Sequence, residues 1–333
     1  MQIICIYDTG FSEKGSETMR IRRAAALLLA LCLALLSGCG RAETQEEPAL
    51  RVVTSFYPMY IMALNVTDGI EGVQVENMAG QQAGCLHDYQ LQTKDMKNLE
   101  QADVFVINGA GMESFLDKVT SQLPGLSIVD TSEGLPLIES GEDGSHLHEE
   151  DGHEHTEDDG HDHGDVNPHI WVSISECIGQ VENLSEGLQK ADPAHAEQYR
   201  ANTEAYVEKL SELRDRMHEA IDPLPNRNIV TFHEAFPYFA EEFDLNVVKV
   251  VNREPDSQPS ARELAETIRL VEDAGVAAVF AEPQYPESAA DIIASESGIR
   301  VWTLDPVTTG PNDKDAYLNA MEQNMETLVQ ALS

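Results

Sequence analysis

Basic residues are scarce in this chain. Twenty-one Lys+Arg face 59 Asp+Glu in 333 residues, a formal net charge of −38. Nucleic-acid binding needs a basic footprint and is excluded. Acidic membrane surfaces and anionic substrates are poor partners for the bulk of such a protein. Long apolar runs are also missing. Ala24–Leu36 is the longest, and at about 1.5 Å per residue it reaches roughly 20 Å, short of the ~30 Å hydrocarbon core. No P-loop G-x-x-x-x-G-K-[ST] occurs, so any ATPase must be another chain. The H-E-x-x-H of many zinc enzymes is absent as well, because His233-Glu234 has no second His four residues on. What remains is 42% hydrophobic, enough to bury real cores and to exclude global disorder. The length suits about two domains.

The apolar run has a specific setting. Arg20, Arg22 and Arg23 precede it and Leu36-Ser37-Gly38-Cys39 follows. A charged segment before a short apolar one reads as a secretory signal, and its end resembles the lipobox of bacterial lipoproteins. That resemblance implies cleavage before Cys39, lipidation of Cys39, and attachment of an extracytoplasmic protein to the bacterial cell membrane by the lipid alone. The reading divides the amino terminus into residues 1–18, an over-extended start ahead of Met19, a signal peptide at 19–38, and a polar tether at 39–48. Of five cysteines, Cys5 and Cys32 fall in the leader. Cys85 and Cys177 remain, a pair that an oxidising compartment could join.

Short β-branched apolar runs recur at Val52–Phe56, Val104–Ile107, Ser127–Val129, Ile229–Phe232, Val247–Val251, Val276–Phe280 and Val301–Leu304. Helix-like stretches lie between them, among them Asp95–Gln101, Ser260–Glu272 and Ser288–Ser295. Continuous apolar strands alternating with helices predict an α/β protein with parallel sheets covered on both faces. The runs fall into two groups, one on each side of a single long helix. Asp192-Pro193 is an expected N-cap followed by Pro at the first helical position. Tyr199, Thr203, Tyr206, Leu210, Leu213, Met217 and Ile221 then follow at steps of three and four, one buried face. The 29 residues from Pro193 to Ile221 would span about 43 Å, the length of a strut beside two lobes. The expected boundaries are an amino-terminal lobe at 49–191, a linker helix at 192–221 and a carboxy-terminal lobe at 222–333. His195 and His218 lie on the strut and read as surface or packing residues.

Three further histidines stand in loops beside strand-like segments. His87 lies in Gly84-Cys85-Leu86-His87-Asp88-Tyr89, His169 in Asn167-Pro168-His169-Ile170-Trp171, and His233 in Val230-Thr231-Phe232-His233-Glu234-Ala235-Phe236. Ligand sites of parallel α/β sheets form outside the carboxyl ends of the strands, and neutral imidazoles suit zinc.

These motifs as a set resemble those of zinc-uptake ABC-transporter solute-binding proteins, the ZnuA-like and TroA-like cluster A-I family. The resemblance rests on H-D-Y with Leu91, Asp95 and Leu99 after it, on N-P-H-I-W, T-F-H-E-A-F and Ala281-Glu282-Pro283-Gln284, and on Thr303-Leu304-Asp305-Pro306. It covers about residues 50–330. It implies two parallel-sheet lobes joined by a long rigid linker helix, with the metal in the cleft between them. His87 and His169 would bind from the first lobe and His233 from the second. Asp305 occupies the matching fourth position, with Glu282 as the competing acid, read as supporting or structural, and water as the other alternative. Three imidazoles favour Zn2+ as the transported ligand over harder ions. An ABC permease and its ATPase are the implied partners of a monomeric, non-enzymatic carrier. A manganese or nickel carrier is the alternative inside the family. A zinc-dependent hydrolase or a surface adhesin lipoprotein is the alternative outside it.

One segment gains meaning from this resemblance. Between Glu142 and Asp165 lie eleven acidic residues and six of the chain's eleven histidines, with no Lys or Arg. The histidines come in pairs two residues apart: His146 with His148, His153 with His155, and His161 with His163. They make the segment an expected auxiliary, low-affinity metal loop. Its carboxylates would concentrate cations beside the cleft.

Overall fold

In the computed structural model, the described residues are 49–80, 86, 89–140, 166–251, 261–273, 275–276, 278–283, 292, 294–296 and 298–333. The leader, Cys39, Cys85 and His87 lie outside them, as does most of the helix expected at Ser288–Ser295. The expected metal loop lies outside them too, with all six of its histidines: His146, His148, His153, His155, His161 and His163. No helix among the described residues is long and apolar enough to cross a membrane.

The first sheet is built from β1 (Leu50–Thr54), β2 (Val73–Asn77), β3 (Val104–Ile107) and β4 (Ser127–Asp130). Its order is β2-β1-β3-β4, all parallel. Helices α1 (Tyr57–Val66), α2 (Thr93–Leu99) and α3 (Leu116–Gln122) connect the strands. The second sheet has β5 (Asn228–Thr231), β6 (Asn246–Val250), β7 (Ala278–Ala281) and β8 (Val301–Thr303), again parallel and in the same order, β6-β5-β7-β8. Helices α6 (Pro237–Glu242) and α7 (Ala261–Asp273) belong to it. Val104, Phe105, Val106 and Ile107 of β3 are all buried, as a parallel strand covered on both faces must be. In each sheet the chain runs from a central strand to one neighbour, then crosses to the other side. That crossing is a topological switch point, where ligands bind at the carboxyl ends of the strands.

Two long helices lie between the sheets in sequence: α4 (Ile174–Ala191) and α5 (Ala196–Ile221). The buried side of α5 is formed by Tyr199, Thr203, Tyr206, Leu210, Leu213, Met217 and Ile221, the seven residues of the predicted stripe. The helix itself has 26 residues, about 39 Å, rather than 29. Pro193–His195 form a 3-10 turn ahead of it. The Asp192 carboxylate, the expected cap, is engaged by side chains instead, by His195 Nδ1 at 2.6 Å and Tyr199 Oη at 3.0 Å. One continuous apolar core includes residues of both sheets and of α4 and α5.

The chain ties the two halves together a second time. After β8 it returns over residues 305–315 to the final helix α8 (Ala316–Leu332). Tyr57 Oη donates to the Pro311 carbonyl at 2.7 Å and Asn65 Nδ2 to that of Lys314 at 2.7 Å. A Cβ at Gly310 would lie 2.4 Å from Tyr57 Oη, so only glycine lets the tyrosine reach its partner. Glu242 of α6 grips the start of α4, accepting from Ile174 N at 2.8 Å, Ser175 N at 3.1 Å and Ser175 Oγ at 2.6 Å. A carboxylate there satisfies orphan N–H groups and complements the helix dipole.

Candidate metal centre

The second sheet supplies three of the candidate side chains at its carboxyl edge. His233 follows β5 by two residues, Glu282 follows β7 directly, and Asp305 follows β8 by two. His169 comes from the first half, on the turn that leads through a 3-10 segment (Ile170–Val172) into α4. The two histidines are 64 positions apart in the chain, yet His169 Nε2 and His233 Nε2 lie 3.2 Å apart. The rings are 83° from coplanar, and both residues are buried.

Asn167 decides which nitrogen of His169 can act. Its Oδ1 accepts from the His169 backbone N at 3.0 Å, and a backbone N–H can only donate, so that atom is the oxygen. The same Oδ1 lies 3.1 Å from His169 Nδ1, so Nδ1 carries the proton and Nε2 keeps its lone pair. Asn167 Nδ2 meanwhile donates to the Glu234 carbonyl at 2.8 Å, next to His233. One side chain therefore sets the tautomer of one imidazole and holds the backbone beside the other. Two imidazole nitrogens bound to one tetrahedral zinc at 2.0–2.1 Å stand about 3.3–3.4 Å apart. The observed separation is within about 0.2 Å of that.

Around the pair the packing is dense and polar contacts are specific. Trp171 is fully buried; its ring is 5.2 Å from that of His169 and its Nε1 donates to the Pro306 carbonyl at 2.6 Å. Tyr317 Oη donates to the Trp171 carbonyl at 2.8 Å. Tyr238 Oη donates to the Asn167 carbonyl at 2.8 Å and accepts from Ile138 N at 3.0 Å. The turn bearing His169 is thereby fastened to the segment bearing Asp305.

Asp305 is itself held by α8. Its N–H donates to Asn324 Oδ1 at 2.8 Å and its carbonyl accepts from Asn324 Nδ2 at 2.7 Å. Its Oδ1 accepts from Val307 N at 2.8 Å. Val307 has φ +59°, an unusual conformation for a β-branched residue that the surrounding structure must enforce. Burial raises the Asp305 carboxyl above its ordinary range, opposed by the Val307 N–H. Burial holds the Glu282 carboxyl well above the usual carboxylate range, with the Asp305 charge adding to the effect. Two buried acids that repel each other are an environment that a divalent cation would relieve.

His169 and His233 are thus brought together. Asp305 and Glu282 stand at the neighbouring strand ends, but among the described residues no three His, Cys, Asp or Glu side chains form a group that could hold an ion. His87, the third expected imidazole, lies outside the described residues. So do the auxiliary pairs, His146 and His148, His153 and His155, His161 and His163. Cys177 carries a free thiol, fully buried on α4, and burial pushes that thiol up to about 12. Cys85, its expected partner, lies outside the described residues. Sequence reasoning does not single out Asn167, Trp171 and Tyr238 as functional, although the first two belong to the N-P-H-I-W motif.

The ZnuA family, described as zinc-uptake complex component A, periplasmic, matches residues 52–331. The chain belongs to this family. The zinc-binding protein AdcA of Streptococcus pyogenes serotype M3 is 32% identical over 295 residues, 86% of this chain. This chain spans only 56% of that relative's length. The high-affinity zinc uptake system protein ZnuA of Bacillus subtilis is 30% identical over 316 residues, 92% of this chain and 96% of the relative. Among solved structures, the Zn(II)-bound ZnuA-like domain of Streptococcus pneumoniae AdcA is similar with a TM-score of 0.70 and 26% identity, covering 85% of this chain and 98% of that domain. The ZnuA-family assignment agrees with two parallel sheets of one order beside a long helix.

Proposed function

We propose that this chain captures Zn2+ outside the cytoplasm and delivers it to the permease of an ABC-type importer, powered by a separate ATPase. His169 and His233 bind the ion through Nε2, and His87 and Asp305 complete the set. The observation that carries this reading is the pair of buried Nε2 atoms 3.2 Å apart, with Asn167 holding one of them as a lone-pair donor. Imidazole suits zinc better than it suits harder divalent ions. Family membership and the zinc-named relatives support the same cargo. Capture and delivery need no bond chemistry, so no side chain is assigned a catalytic role.

Cys39 carries the lipid that keeps the protein at the membrane, and the acidic histidine segment of 142–165 collects zinc weakly near the cleft. Mass measurement of the mature protein tests the first statement. Deletion of 142–164 tests the second: unchanged zinc stoichiometry and unchanged zinc-limited uptake would overturn it. The central test is metal analysis and competition titration of the wild type against His87→Ala, His169→Ala and His233→Ala. Tight 1:1 binding in the wild type and its loss in the variants is expected. Tight binding that survives all three changes refutes the site, and preference for manganese or nickel over zinc refutes the cargo.

A further inference from the structure

The turn that carries His169 rests on a second buried device. The carbonyl of Pro168, the residue before His169, accepts from Asn108 Nδ2 at 2.9 Å. Asn108 follows β3 at the switch point of the first sheet and is fully buried. Its Oδ1 accepts from Gln180 Nε2 of α4 at 3.0 Å, while Nδ2 also reaches the Gly109 carbonyl at 2.9 Å. The orientation of the amide is therefore fixed, with nitrogen toward Pro168.

The backbone of Asn108 is held in turn by one carboxylate. Glu113 accepts from Asn108 N at 2.8 Å and from Gly109 N at 3.0 Å. Between them the chain curls through three left-handed residues, Gly109 (φ +81°), Ala110 (φ +50°) and Gly111 (φ +80°). Left-handed backbone of this kind makes N–H groups converge on an anion. It costs free energy at Ala110 that its surroundings must offset. A Cβ at Gly109 would lie 1.9 Å from Asp130 Oδ1, so the loop is pressed against the end of β4.

Glu113 is 5% exposed. The groups that act on it are Ser55 after β1, the N–H groups of Asn108 and Gly109, and Asp130 at the end of β4. Burial pushes its carboxyl up to about 7, the Asp130 charge adds to this, and the Ser55 hydroxyl and two N–H groups oppose it. The group exchanges its proton near neutral pH.

We propose that Glu113 is a positioning residue for His169, acting through Asn108 and Pro168, and that its ionised form is the one that holds the turn ready for metal. The proposal rests on His169 being a metal ligand, as argued above. An ionised carboxylate accepts both N–H bonds in full strength. A neutral carboxyl has given one oxygen to a proton, which can turn to the Ser55 hydroxyl, and that oxygen then accepts its backbone N–H bond more weakly. Protonation therefore loosens Asn108 and, through it, the carbonyl beside His169. By linkage the effect runs both ways: a cation held by His169 favours the ionised form of Glu113. Metal uptake then expels a proton from Glu113 in addition to any expelled from the imidazoles.

The test is calorimetric zinc binding by the mature protein at about pH 7, in buffers of different ionisation enthalpy, for wild type, Glu113→Gln and Asn108→Ala. A group that titrates near 7 is about half protonated there, so the wild type should release about half a proton more per zinc than folded Glu113→Gln. That variant should bind about tenfold more weakly, at the low end for outer partners of a metal site. Its affinity should also depend less on pH between about 6 and 8. Asn108→Ala keeps the carboxylate but cuts the relay, and should lose both the affinity and the extra proton. Should Glu113→Gln fail to fold, Asn108→Ala decides by the same two measurements, affinity and proton release. Equal proton release by wild type and Glu113→Gln, or by wild type and Asn108→Ala, overturns the proposal. If zinc binding is tight in the wild type and lost in His169→Ala while Glu113→Gln behaves as wild type, this proposal alone fails. No tight zinc binding in the wild type overturns the reading beneath it as well.

Discussion

Asn167→Ala is the sharpest single perturbation of the candidate centre. The change removes the acceptor of His169 N (3.0 Å) and of His169 Nδ1 (3.1 Å), together with the donor to the Glu234 carbonyl (2.8 Å). His169 and Asn167 are both buried, so the groups left behind meet little water. An unsatisfied buried polar group costs about 1–3 kcal/mol. With two backbone groups stranded, the metal-free protein should lose roughly 2–4 kcal/mol of stability. The imidazole also loses the group that keeps its proton on Nδ1. Outer partners of this kind are worth about 10–100-fold in metal affinity, or ~1.4–2.7 kcal/mol. Asn167→Asp separates the two effects. It retains an acceptor for both His169 groups, now charged, and loses only the donor to Glu234. It should keep zinc affinity near wild type while remaining less stable. Competition titration gives the affinities and urea unfolding of metal-free protein gives the stabilities. Wild-type zinc affinity in folded Asn167→Ala would refute the argument that this side chain sets the competence of His169.

The other predictions are briefer. Zinc affinity should fall as pH drops through the ordinary imidazole range of about 6–7, because bound histidine must be neutral; a flat affinity from about pH 7.5 to about 5 would count against a histidine site. Asp305→Asn keeps an oxygen for the Val307 N–H but removes the charge, so zinc should weaken by more than about tenfold; an unchanged value would leave the fourth position to Glu282 or water. Trp171→Phe strands the Pro306 carbonyl and should cost about 1–3 kcal/mol by urea unfolding, whereas an unmoved midpoint would show that this tie bears no strain. Gly310→Ala sets a methyl 2.4 Å from Tyr57 Oη. Its cost should shrink in a Tyr57→Phe background by at least about 0.5 kcal/mol in a double-mutant cycle, and additive costs would refute the close approach.

What was legible in the sequence follows from which physics is local. Seven of the eight described strands were, because a buried parallel strand tends to be apolar on both faces. Val104–Ile107 matches β3 residue for residue, whereas β2, with no fully buried residue, is not among the apolar runs. The buried face of α5 was, because helical periodicity is a property of spacing alone. The start of α5 was not: whether Asp192 caps the helix or takes His195 and Tyr199 depends on two side chains competing with the backbone for one carboxylate. The same distinction runs through the centre. His169 and His233 stood out because few residue types bind zinc and each sits in a loop beside a strand. Their partners were hidden because asparagine, tryptophan and glutamate serve many ends, and their use here depends on distant chain. Trp171 reaches Pro306 across 135 positions and Glu242 reaches Ser175 across 67. Glu113 had one local signal, the glycines at 109 and 111 that permit a left-handed loop. Ala110 between them carries the same sign of φ with no such permission. A strained alanine flanked by glycines, with a buried acid two residues after the second of them, is a pattern that only the folded chain explains. There the acid gathers the N–H groups that the curl presents.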